Sequence, residues 1–139
     1  MTRLVVDASV AIKWYVPEVH HLSAQKVLAA HGTALHAPDL IFPEFGNILW
    51  KKHRSGELTG EEARTIADAF LAVPKTIHKS HVLLPSALEI ALATGRTVYD
   101  SLYLALAAQL DCKAITADLR LYNCLSGTPW VKLVKWIED

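Results

Sequence analysis

Four acidic residues stand where a chain that alternates strands with helices changes from one to the other. Asp7 closes the apolar run "RLVVD", and Asp118 follows "KAIT". Glu44 comes just after Pro43, and Asp100 lies three residues after Thr97, each in the first turn of an expected helix. Carboxylates with no cysteine or histidine at matching positions are hard oxygen donors, suited to Mg²⁺ or Mn²⁺. Such an ion lowers the pKa of a bound water and neutralises charge on a reacting phosphodiester. Each acid also has a plain structural reading. Asp7 and Asp118 can cap helices, Glu44 can favour a helix dipole, and Asp100 has capping-box spacing from Thr97. Chemistry requires that all four converge.

The elements must bring them together. "RLVVD" (3–7) reads as a buried strand, followed by a helix capped by Ser9 and running through Trp14. Residues 21–32 read as a helix and 34–40 as a short strand and turn. Residues 43–56 read as a helix opened by Pro43, and 59–73 as a helix with Thr59 and Glu62 at capping-box spacing. A short strand over 76–80, a helix over 85–95 and a nearly all-apolar helix over 97–111 come next. The last strands are placed at 113–118 and 130–136. Strands separated by helices imply parallel βαβ units and a three-layer α/β/α sandwich with a central, mainly parallel sheet. In such a sheet, ligands bind outside the carboxyl ends of the strands, where Asp7 and Asp118 are expected.

The totals set limits. The 139 residues, 52% of them hydrophobic, suit one domain (1–139) with a substantial core. Fourteen basic residues balance fourteen acidic ones, so a nucleic-acid partner must be met by a local patch. Candidates are "KKHR" (51–54), Lys13, Arg96 and Arg120. The run "SLYLALAAQL" is too short to span a bilayer, and the N-terminus lacks the pattern of a secretory signal. A cytoplasmic protein with no membrane partner is expected, with Cys112 and Cys124 as buried thiols. The spacing of the seven histidines argues against a zinc site. Four tryptophans exceed the needs of a core, so one or two are expected at an interface.

Read in order, "VVDASVAIKW", "PEFGNIL", "YDSLYLALA" and "TAD" resemble the PIN-domain ribonucleases, specifically VapC-type toxins of toxin–antitoxin pairs. The segments span residues 4–118. The resemblance implies a metal-dependent endoribonuclease with Asp7, Glu44, Asp100 and Asp118 as its acids and Thr116 as its small hydroxyl residue. It further implies Mg²⁺ or Mn²⁺, with Asp7 and Asp100 as direct ligands, an RNA substrate, a VapB-like antitoxin and a homodimer. Ser101 stands where alanine is more usual. A haloacid-dehalogenase-like phosphatase would need an acid at position 9, which is Ser9, and a phospho-receiver domain would need an acidic pair before its aspartate. A catalytically silent PIN-like module that binds RNA or protein is the remaining alternative.

Overall fold

In the computed structural model, which describes residues 2–139, the strands β1 (Thr2–Val6), β2 (Thr33–Pro38), β3 (Thr76–His78), β4 (Lys113–Thr116) and β5 (Val134–Trp136) form one sheet in the order β3-β2-β1-β4-β5. Every pairing is parallel. Helices α1 (Ala8–Ala11), α2 (His21–Ala29), α3 (Ile41–Arg54), α4 (Gly60–Ala72), α5 (Ser80–Thr94), α6 (Val98–Gln109) and α7 (Leu119–Leu125) connect them.

Alternation along the central strands builds two cores. Val6 and Ile115 face a cluster with Phe45, Leu49 and Phe70 from α3 and α4. Their neighbours Val5 and Ala114 face a cluster with Leu83 and Ile90 of α5, Leu102–Ala107 of α6, and Leu121 of α7. Successive side chains on a strand point to opposite faces, so β1 and β4 are covered on both sides. The expected three-layer α/β/α architecture is present.

Several boundaries differ from expectation for identifiable reasons. Asp7, not Ser9, caps α1, because its own carboxylate accepts from the Val10 amide; the helix then tightens into a 3₁₀ turn over Ile12–Trp14. α3 begins at Ile41, two residues before Pro43, since a proline in the first turn removes an amide with no intrahelical partner. α5 begins at Ser80, five residues before the expected start at 85, and runs through Pro85. Burial of Leu83, Ala87 and Ile90 outweighs the proline. The segment 130–136 is a 3₁₀ turn (Pro129–Leu133) before the short β5.

Cys112 is half-buried and Cys124 is exposed, so the expectation of two buried thiols fails. On α7 Leu121 and Leu125, one turn apart, are buried, and Tyr122 packs half-buried against the same core. Of the tryptophans, Trp14 is buried, Trp130 and Trp136 are half-buried, and Trp50 is exposed under the Arg54 guanidinium. Among the described residues, no helix is long and apolar enough to cross a membrane.

Candidate active site

The strand order fixes where the acids meet. From β1 the chain steps to β2 and β3 on one side, then returns to β4 and β5 on the other. β1 and β4 are therefore neighbours whose connections leave in opposite directions, which opens a crevice beyond their carboxyl ends. Asp7 directly follows β1, and Asp118 follows β4 by two residues. A cavity of about 280 Å³ lies there, and Asp7, Glu44, Asp100, Thr116 and Asp118 all line it.

Helix geometry brings in the other two acids. On α3, Glu44, Asn47, Ile48 and Lys51 fall at i, i+3, i+4 and i+7, forming one stripe into the cavity. The neighbouring stripe of Ile41, Phe45 and Leu49 is buried and holds the helix against the sheet. On α6, Asp100, Tyr103 and Leu104 share one face in the same way. Residues 101–107 are buried throughout, so this face is rigidly placed.

Each carboxylate has a protein donor. Asp7 Oδ1 accepts from Ser9 Oγ at 2.6 Å and the Val10 amide at 3.0 Å. Ser9 Oγ in turn accepts from the Ala117 amide at 3.3 Å, tying the end of β4 to the start of α1. Glu44 accepts from the Tyr103 hydroxyl. Thr97 caps α6 through the Asp100 amide at 3.1 Å, but the Asp100 carboxylate turns to Arg96 rather than completing a capping box. Asp118 accepts from the Arg120 and Leu121 amides at 3.0 and 3.2 Å, capping α7. Thr116, buried, accepts from the Asp118 amide at 3.0 Å. The capping roles of Asp7 and Asp118 are real, and they coexist with a place in the cavity.

The electrostatics register the convergence. Burial pushes the Asp7 carboxyl from the usual 3.8 to about 6, against the hydrogen bonds of Ser9, Val10 and Thr116, and the charge of Glu44 adds to the rise. Burial likewise raises Glu44, opposed by Tyr103 and reinforced by Asp100. Burial and then the Glu44 charge push the Tyr103 phenol far above its ordinary value, so it stays a donor. Among the described residues, no three acidic, histidine or cysteine side chains close around a common point. In chemical type the donors fit a hard divalent cation: all are oxygens, and a carboxylate forced upward by burial gains when a cation arrives.

The basic candidates divide. Lys51 lines the cavity, and Arg96 bonds Asp100. Lys13 bonds Glu18 at 3.0 Å, and Lys52 bonds Glu18 and Glu57, so both serve the fold. Arg120 is exposed. Tyr103 and Asn47 escaped the sequence reading, and Ser9 entered it as a helix cap, not as a residue of the site. Tyr103 was hidden in an apolar run, although its place three residues after Asp100 puts it on the same helix face.

The PIN domain family model matches residues 4–124. The chain belongs to the PIN-domain family. Within it, Ribonuclease VapC3 of Pyrobaculum aerophilum is 36% identical over 121 residues, covering 86% of this chain and 92% of the relative. Among solved structures, the chain resembles PAE2754 of Pyrobaculum aerophilum with a TM-score of 0.70 at 23% identity, over 99% of this chain and 85% of that one. It also resembles a chain of VapBC2 of Rickettsia felis, solved bound to a DNA fragment from their promoter. That match has a TM-score of 0.63 at 10% identity, over 97% and 98% of the two chains. At these identities the structural matches speak for the fold. The sequence match places the protein among the VapC-type members of the family.

Proposed function

We propose that this PIN-domain protein is a Mg²⁺- or Mn²⁺-dependent endoribonuclease, the toxin of a toxin–antitoxin pair acting in the cytoplasm. The observation that carries the reading is the meeting of Asp7, Glu44, Asp100 and Asp118 in one cavity at the β1–β4 crevice. The name of the VapC3 relative supports ribonuclease chemistry. A bound divalent ion would supply an activated water and charge neutralisation at the phosphodiester. Asp7 and Asp100 are assigned as direct ligands, with Glu44 and Asp118 completing the set directly or through water. Thr116 fixes the backbone at Asp118 and supports the Asp7 carboxylate. Tyr103 holds Glu44. Lys51 offers RNA phosphate a cation beside the acids.

Cleavage of a panel of transfer, ribosomal and messenger RNAs with Mn²⁺ or with EDTA tests this. Activity should require metal and fall by at least about a hundredfold in Asp100→Asn, which removes ligand charge with little change of shape. Full cleavage in EDTA rules out the mechanism. Metal-independent RNA binding without any cleavage would favour the silent-module alternative.

The VapBC2 complex supports a small antitoxin as partner. Its arginine or lysine would enter the acidic cavity, so the complex should be inactive. For self-association we assign the exposed α5 stripe of Leu84, Leu88 and Leu92, spaced four residues apart. Leu88→Asp should shift the protein from dimer to monomer in light scattering. A monomeric wild type at micromolar concentration removes the dimer.

A further inference from the structure

Arg96 is placed by the turn between α5 and α6. Gly95 ends α5 in the left-handed conformation at φ 76°, the Arg96 amide donates to Thr94 Oγ1 at 3.1 Å, and Thr97 caps α6 immediately afterwards. With the backbone held on both sides, the side chain reaches the acids. Nε and Nη2 donate to Asp100 Oδ2 at 3.2 and 2.8 Å, and Nη2 stands 3.9 Å from Asp118 Oδ2. A surface pair of i,i+4 type would stop at Asp100. This guanidinium spans two carboxylates that belong to α6 and to the β4–α7 junction, and its side chain is only 23% exposed.

We propose that Arg96 is a built-in counter-cation of the acidic cavity, one that weakens metal binding by the free protein and engages an RNA phosphate when substrate arrives. The inference rests on the metal-dependent reading given above. A positive charge a few ångströms from the seat of a divalent ion repels it. At a partly exposed site this amounts to about three- to tenfold in affinity. A guanidinium also matches a phosphate in geometry and charge, and it is less strongly hydrated than an ammonium group. Drawn toward phosphate, Arg96 opposes the metal less, so RNA and metal favour each other's binding by the same factor.

The test is calorimetric titration of Mn²⁺ into wild type, Arg96→Gln and Arg96→Lys, without RNA. Arg96→Gln should bind Mn²⁺ about three- to tenfold more tightly, and Arg96→Lys, which keeps the charge, should stay near wild type. In EDTA, single-stranded RNA should bind Arg96→Gln more weakly, with a salt slope lower by about one. If wild type binds Mn²⁺ but Arg96→Gln binds it equally or less tightly, Arg96 is an ordinary ion pair and the proposal fails. Unchanged RNA affinity and salt slope overturn the phosphate half. Absence of Mn²⁺ binding by wild type defeats the metal-dependent reading itself, and this inference with it. Should thermal melts show Arg96→Gln unfolded, Arg96→Met, which keeps the aliphatic stem, takes its place with the same expected result.

Discussion

Asp7 does two jobs that pull against each other. As the cap of α1 its carboxylate is wanted ionised, and as a buried neighbour of Glu44 it is pushed toward the neutral form, to about 6 from 3.8. A carboxyl raised on folding holds its proton more tightly in the folded state. Between about pH 4 and 6 the native protein therefore binds more protons than the unfolded chain, and stability falls as pH rises through that window. Above it the loss is complete and constant. Asp7→Asn keeps the accepting oxygen and removes the titration. In EDTA, the stability of wild type relative to Asp7→Asn should thus decline from pH 4 to pH 6 and then level off, as read from urea midpoints. A difference independent of pH would show that burial does not perturb this carboxyl. Tyr103 gives a second reading at this scale. Tyr103→Phe leaves Glu44 without its donor and should cost about 1–3 kcal/mol at neutral pH, checked by the same urea melts.

Helix α5 contains the least expected local feature. Pro85 sits five residues inside it, where its missing amide leaves the His81 carbonyl without an intrahelical partner. Pro85→Ala should restore that bond and stabilise the protein by about 1–3 kcal/mol in urea unfolding, with cleavage activity unchanged. A destabilised Pro85→Ala would mean that the ring packs usefully. The same helix shows why some elements were legible and others not. β1 was readable because its apolar, β-branched run ends at Asp7, and α4 because Thr59 and Glu62 form a true capping box. The start of α5 was not legible, because only packing carries the helix through Pro85 and the local sequence does not show that packing. α7, seven residues long with two of them buried, carries no periodic signal long enough to stand out. Four acids were legible by their positions at element junctions. The partner of Glu44, Tyr103, was not, because pairing across 59 residues is set by the sheet order, and the same order brings the Ala117 amide to Ser9 across 108 residues.

At the scale of the molecule, the cavity should link metal to stability. An ion that binds only the folded site adds roughly 2.7 kcal/mol at about 100 times its dissociation constant. For a chain of this size, that is a rise on the order of 2–6 °C in Tm per kcal/mol. Thermal melts with Mn²⁺ and with EDTA should show that rise in wild type and much less of it in Asp100→Asn. In EDTA the Asp100→Asn protein should lie within about 1 kcal/mol of wild type, since relief of repulsion on Glu44 offsets the weakened pair with Arg96. Equal melts with and without metal would leave the acids as structural caps. The pairing of β1 with β4 has a consequence for how such a protein is made. Asp7 leaves the ribosome early, but its companion Asp118 emerges only after nearly all the rest, and β4 must pair with β1 before the crevice exists. A growing chain folds from its N-terminal end while synthesis continues. The half-made protein has an incomplete set of acids and no cavity, so under the proposed function it cleaves no RNA. Under the proposed function, a cell that translates this message meets RNA cleavage only once β4 has been made and has paired with β1.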